Sequence, residues 1–143
     1  MIVISHRGNI SGTDPENENK PANILKTLEK FDCEIDLWLV EGHLMLGHDE
    51  PQYDIGEDFL KREGLWIHAK NIVALNLLMD LNVNCFWHQD DHVTLTSKGY
   101  LWTYPGQKLF SKSICVLPEI HGIHNFKNCS GICSDVIEKY KNK

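Results

Sequence analysis

Met1-Ile2-Val3-Ile4-Ser5-His6-Arg7-Gly8 opens the chain. It is a short apolar run that ends in a histidine and an arginine. The same form recurs along the sequence: residues 2–6, 33–40, 65–70, 84–90, 100–104, 114–119 and 131–135 are apolar segments that finish polar. Each reads as a buried strand whose C-terminal end carries chemistry. Residues 44–48 read as a further short strand, in a hairpin with 33–40 through Glu41-Gly42. Helical spacing predicts a helix over 22–31, with apolar Ile24, Leu25, Leu28 and Phe31 behind Pro21. A second helix is predicted over 72–81 with Asn71 as its cap. Residues 54–64 predict a helical turn or two, and 136–143 a short charged helix or frayed tail.

Strands alternating with helices predict a parallel α/β architecture. Polar residues gathered at strand C-termini match the active face of a (β/α) barrel. The 143 residues fall short of the roughly 250 that such a barrel takes. The connections 91–99 and 120–130 are also too short for full helices. The expected fold is α/β, one domain over 1–143, a reduced (β/α) TIM-type barrel with several helices shortened or missing. Barrel surface left bare by those helices predicts a homodimer or larger homo-oligomer.

The composition is that of an ordinary globular chain, with 42% hydrophobic and 24% charged residues. A net charge of −6 argues against a surface that coats nucleic acid. No apolar run reaches the length of a membrane span. The N-terminus shows no basic region or cleavage site, so no secretory signal is expected and the cytoplasm is the expected compartment. The five cysteines, Cys33, Cys85, Cys115, Cys129 and Cys133, are scattered and read as reduced thiols. Of the eight histidines, His43, His92, His121 and His124 have no partner at a telling spacing.

The chemistry concentrates in three places: His6-Arg7-Gly8, Glu34-Ile35-Asp36 and Gly47-His48-Asp49. Glu34 and Asp36 stand two apart on a predicted strand, so both side chains leave the same face. Two converging carboxylates suit a hard cation such as Mg²⁺ or Ca²⁺. His6 and His48 can each take and give a proton near neutrality. Arg7 can grip phosphate oxygens in a two-pronged contact. Pro15-Glu16-Asn17 lies between the first two motifs. In this order the residues resemble the glycerophosphodiester phosphodiesterase family, which reads roughly HRG, PEN, ExD and HD, and more broadly the phosphoinositide-phospholipase-like phosphodiesterases.

The resemblance covers the first ~50 residues and weakens beyond. It implies metal-dependent hydrolysis of a small glycerol- or sugar-phosphodiester, with His6 as base and His48 as acid. In that family the strand at 66–70 usually reads ExK, its glutamate a third metal ligand and its lysine near the phosphate. Here His68 and Lys70 hold those places. Imidazole is a better ligand for Mn²⁺ or Zn²⁺ than for Mg²⁺ or Ca²⁺, so those ions stay open as well. The metal set is thus Glu34, Asp36 and His68, and the substrate contacts are Arg7, Lys70, Trp102 and Glu119. Trp102 is read as the wall of a sugar or glycerol pocket, with Tyr104 on the same face. Glu119 is read as a partner for a substrate hydroxyl or for Lys70. His88 and Asp90 are read as supporting contacts and Asp135 as structural. Two alternatives accompany this reading. One is a non-catalytic module that binds a phosphate or sugar ligand on the same scaffold. The other is lyase or sugar-phosphate chemistry with the same groups.

Overall fold

The computed structural model describes residues 1–122 and 125–142. His124, one of the four histidines without a spacing partner, lies outside them, as do Ile123 and Lys143. The predicted strands form, with shifted ends: β1 (Ile2–His6), β2 (Asp32–Val40), β3 (His43–Leu46), β5 (Leu65–Ala69), β6 (Cys85–Phe86), β8 (Leu101–Thr103), β9 (Ser113–Val116) and β10 (Gly131–Ser134). Two more join them, β4 (Tyr53–Ile55) and β7 (Val93–Leu95). The helices are α1 (Pro21–Leu28), α2 (Glu57–Leu60) and α3 (Ile72–Asp80). Pro21 opens α1 at a position where the missing N–H costs nothing. Asn71 caps α3, its side chain accepting from the Ala74 N–H at 3.0 Å.

The expected (β/α) TIM-type barrel is overturned. The strands form one curled, mixed sheet, a half-barrel, and among the described residues there are only three short α-helices. The main path runs β4-β3-β2-β1-β10-β9-β8-β7, with β5 branching from β2 and carrying β6. Seven strands, β6, β5, β2, β1, β10, β9 and β8, pair in parallel. The pairs β2–β3, β3–β4 and β7–β8 are antiparallel. The physical reason lies in the connections. Where the chain leaves β2, Glu41 and Gly42 turn it straight back, both at positive φ, so a hairpin forms where a barrel would place a helix. Between β6 and β10 the described links hold only turns, a hairpin and the 3₁₀ turn Pro118–His121.

The curl gives the sheet two unlike faces. On the convex side Cys33, Ile35, Leu37, Leu65 and Ile67 pack with Ile24 of α1 and Ala74 and Leu78 of α3. Cys115 and Ile132 pack with Phe31, Ile137 and Tyr140, so the chain's own C-terminal turn covers the outer face of β9 and β10. The bare outer face that suggested an oligomer is therefore partly covered in cis. Ile72, Val73 and Met79 of α3 remain exposed. On the concave side Ile4, Trp66, Phe86, Trp102, Ile114 and Cys133 form an apolar plug.

Strand side chains alternate, so the residue two steps beyond each plug residue faces the same way. Those residues are His6 after Ile4, His68 after Trp66, His88 after Phe86, Tyr104 after Trp102 and Asp135 after Cys133. A polar layer thus sits on an apolar one. All five thiols are free. Among the described residues no helix is long and apolar enough to cross a membrane.

Gly131 shows how close the central pairing is. A Cβ there would lie 2.7 Å from the Ile2 carbonyl oxygen and 3.1 Å from Ile114 Cδ1. Gly131→Ala is expected to destabilise the fold by about 1–3 kcal/mol through overpacking, read as a lower midpoint in urea or thermal denaturation. An unchanged midpoint would show that β1 and β10 separate freely.

Candidate active site

The site is built where β1, β2 and β5 end side by side. Register places His6 opposite Glu34 and Asp36 opposite His68. Neighbours on a strand would point to opposite faces, yet Arg7 joins His6 over the same cavity. It does so because the chain turns at Arg7 into the left-handed region, φ 55°. Such a conformation costs a non-glycine residue about 1–2 kcal/mol. It is held by the Arg7 N–H donating to the Glu34 carbonyl at 3.0 Å and by the Asn19 N–H donating to the Arg7 carbonyl at 3.0 Å. Gly8 follows at φ 90°, where an added Cβ would stand 2.6 Å from Asn23 Nδ2.

Asp36 is fully buried, and five side chains crowd around it. Asn19 Nδ2 donates to it at 2.9 Å and His68 Nδ1 lies 3.0 Å away. Arg7 Nε is at 3.2 Å, His48 Nδ1 at 3.3 Å and Lys70 Nζ at 3.7 Å. The Arg7 Nε and His48 Nδ1 contacts have ion-pair distances without hydrogen-bond alignment. Burial alone would raise the Asp36 pKa. The close contacts of His48 and His68, with the charges of His68 and Arg7, outweigh burial and hold Asp36 well below the usual carboxylate range.

Glu34 has the opposite balance. It is 2% exposed, and its carboxylate receives the Arg7 N–H at 3.3 Å and meets His6 Nε2 at 3.9 Å. Burial first and the neighbouring Asp36 second push its pKa up. A buried, weakly compensated carboxylate beside a second one is what a divalent cation would neutralise. Glu34, Asp36 and His68 each offer a ligand atom, all within 4.8 Å of one another, and the cluster could hold a metal ion.

His6 is held by Asp135, whose Oδ1 lies 2.7 Å from Nδ1. A carboxylate can only accept, so Nδ1 carries a proton and Nε2 faces Glu34 and the cavity. Burial disfavours the imidazolium, but Asp135 and Glu34 outweigh it and His6 is raised above its ordinary value. Asp135 itself is lowered: burial would raise it, and the His6 hydrogen bond prevails. Asp135, read from sequence as structural, therefore orients His6. Glu119 does not reach the cavity as a substrate contact. It sits in the 3₁₀ turn and accepts from the Asp135 N–H at 2.9 Å and from Ser134 Oγ at 3.0 Å, fixing the strand end that carries Asp135.

His48 lies on the loop after β3. Arg7 Nη2 donates to its Nε2 at 3.1 Å. Arg7 Nη1 also donates to Glu18 Oε2 at 3.3 Å. Residues 16–19 read Glu-Asn-Glu-Asn, and the second pair enters the site: Glu18 meets Arg7 and Asn9, and Asn19 meets Asp36. Glu16 of the Pro-Glu-Asn match is exposed. The repeated dipeptide hid which pair faces inward.

His6, Arg7, Glu34, His48, His68 and Tyr104 line a cavity of about 230 Å³. A second hollow of about 300 Å³ at Lys70, Trp87 and Gln89 shares His48, His68 and His88 with it. Trp102, 2% exposed, belongs to the plug and lines the base of the cavity. His88 stacks on His68 with ring centres 4.3 Å apart and bonds Tyr104. Burial and the charge of His68 lower the His88 pKa to about 4. A wider hollow of about 560 Å³ at the opposite strand ends, against Met1, Phe31 and Gly64, has no histidine or arginine in its lining.

An NMR titration of the His6 ring is expected to give a pKa above 6.5 in the native protein. Asp135→Asn removes the raising partner and leaves burial, so the value should fall. A value that ignores Asp135→Asn would remove Asp135 as the group that orients His6. Among proteins already characterised, no family model, curated protein or solved structure matches this chain.

Proposed function

We propose that the protein hydrolyses a small phosphodiester on a divalent cation, with His6 and His48 as the proton-transfer pair. One observation carries the reading: two histidines flank Arg7 and the buried Glu34–Asp36 pair around a single cavity. Glu34, Asp36 and His68 would hold the cation, which when bound neutralises charge growing on the phosphoryl oxygens. The two carboxylates favour Mg²⁺ or Ca²⁺, and the His68 imidazole keeps Mn²⁺ or Zn²⁺ in play. The Arg7 guanidinium supplies the phosphate grip and Lys70 a further point charge. A cavity of about 230 Å³ suits a phosphate with a short organic arm rather than a large ligand.

The proton roles follow from the partners of each ring, and they reverse the order implied by the resemblance. Asp135 and Glu34 favour a protonated His6, the form a general acid needs. Arg7 donates to His48 Nε2, so that nitrogen is unprotonated, the form a base needs. When the guanidinium turns to the phosphate, Nε2 is released. His48 then takes a proton from the attacking water as the new P–O bond forms. His6 gives its proton to the departing alkoxide as the old P–O bond breaks. The products are an alcohol and a phosphomonoester, as for the glycerophosphodiester phosphodiesterases that the His6-Arg7-Gly8, Glu34-Ile35-Asp36 and His48-Asp49 residues resemble.

Bis-p-nitrophenyl phosphate, offered with Mg²⁺, Ca²⁺, Mn²⁺ and Zn²⁺ in turn and with EDTA as control, is expected to be cleaved only with a cation. His48→Ala, which removes the base, should lower the rate by about 10²–10⁴-fold, whereas His6→Ala should matter far more for an alkyl phosphodiester than for this activated one. Glu34→Gln should weaken metal binding in calorimetry. No turnover with any ion, together with tight binding of inorganic phosphate, would favour the non-catalytic module. That reading draws on the compensation Asp36 already receives from Arg7, His68 and Lys70.

The pH profile separates the two proton orders. With His6 as acid, the rate on an unactivated alkyl phosphodiester falls as pH rises through the His6 pKa, which is raised above the ordinary histidine value. Asp135→Asn should move that falling limb to lower pH. A rate that rises through the same pKa would restore His6 as base.

A further inference from the structure

We propose that Asn9 is a positioning residue: its one carboxamide holds both Asp135, which orients His6, and Glu18, which holds Arg7, and so sets the acid and the phosphate grip as a single unit. The inference rests on the hydrolase reading of the site and adds a residue to it. Asn9 follows the His6-Arg7-Gly8 turn, is 2% exposed and stands behind the side chains that line the cavity. Its Nδ2 donates to Glu18 Oε1 at 2.8 Å and to Asp135 Oδ1 at 2.8 Å. Beyond them, Glu18 Oε2 accepts from Arg7 Nη1 at 3.3 Å, and Asp135 Oδ1 lies 2.7 Å from His6 Nδ1.

The orientation of the carboxamide is fixed. The Asp14 N–H donates to Asn9 Oδ1 at 3.0 Å, so that atom is the acceptor and the other end carries the two hydrogens. The backbone is held as firmly. The Asn9 N–H donates to the His6 carbonyl at 2.9 Å, and Ser5 Oγ donates to the Asn9 carbonyl at 2.7 Å. Every polar atom of Asn9 has a partner, and turning the side chain would leave buried groups unpaired.

The position calls for a carboxamide. Two carboxylates approach one nitrogen, and without a donor between them they repel. An NH₂ group has one hydrogen for each, while its oxygen serves Asp14. A hydroxyl has one proton to give and a carboxylate none. Glu18 belongs to the turn before α1 and Asp135 to the turn after β10, so Asn9 ties together two distant segments that serve the same reaction. Loss of a partner that orients a functional group typically costs about 10–100-fold in affinity or activity.

The test uses the full chain with Mg²⁺, Ca²⁺, Mn²⁺ and Zn²⁺ in turn. Its substrates are ethyl p-nitrophenyl phosphate and ethyl phenyl phosphate, which differ in how readily the departing oxygen leaves without a proton. Calorimetry with inorganic phosphate reads the Arg7 end separately. Asn9→Asp keeps the shape of the side chain and gives up both donors; Asn9→Ala gives them up without adding charge. Each is expected to lower kcat/KM on the phenyl ester about tenfold more than on the nitrophenyl ester, and to weaken phosphate binding about tenfold. Asp135→Asn should reproduce the first loss alone, and Glu18→Gln the second alone. A residue that served folding alone would lower both esters by the same factor. Circular dichroism checks that the variants fold. A folded Asn9 variant that keeps the native leaving-group dependence or the native phosphate affinity overturns the inference and leaves the hydrolase reading standing. If neither Asn9 variant folds, the double variant of Glu18→Gln with Asp135→Asn decides: effects that simply add overturn the bridge, and effects that do not add support it. If the native protein cleaves neither ester with any of the four ions, the hydrolase reading falls and takes the inference with it.

Discussion

The buried Asp36 carboxylate is the constraint on which the site depends. A charge in that position is costly unless several donors surround it. Asn19 arrives from the loop before α1, Arg7 from the end of β1, His48 from the loop after β3, and His68 and Lys70 from the end of β5. Segments far apart in the chain must come together to satisfy one side chain. Removing a partner from such a buried arrangement typically costs about 3–5 kcal/mol. The same pairing that stabilises the strand ends therefore fixes the groups that face the cavity. Asp36 holds its charge firmly, whereas Glu34, two residues earlier, is poorly compensated. That contrast between two neighbouring carboxylates is what gives the cluster its capacity for a cation.

The sheet supplies the second ingredient, a dry base. Trp66, Phe86 and Trp102 pack against one another on the concave face, Trp66 and Trp102 at 5.9 Å and Phe86 and Trp102 at 4.6 Å. This plug seats the polar layer on apolar surface, where interactions among charges are stronger than in water. The outer helices and the C-terminal turn cover the convex face over β2, β5, β9 and β10. A half-barrel with few helices can in this way support a polar site of the kind expected from a larger barrel. The support comes from aromatic side chains within the curl.

Each histidine of the site is assigned a form by its neighbours. Asp135 and Glu34 favour a proton on both nitrogens of His6. Arg7 keeps Nε2 of His48 unprotonated. Gln89 and Tyr104 fix the His88 tautomer. The forms of chemically identical side chains are thus set by partners that only the fold brings near.

Much of the strand content was legible in the sequence, because apolar runs ending in polar residues are local signals. So were the two main helices, from Pro21 and Asn71 at their starts. The pairing of Glu34 with Asp36 follows from the two-residue period of a strand, and the polar segment ends single out His6, Arg7, His48, His68 and Lys70, which the fold brings close together. The sheet's closure was not legible. Strand order and hairpin reversals are long-range matters, and a polar C-terminus looks the same in a full barrel and in a curled sheet. Nor was the orientation of Arg7, which depends on a left-handed turn held by Glu34 and Asn19. The roles of Glu18, Glu119 and Asp135 were hidden for the same reason. By itself the sequence determined which side chains alternate onto one face of each strand. The tertiary structure decided which of those faces meet, which charges are left unpaired, and so which nitrogen holds each proton.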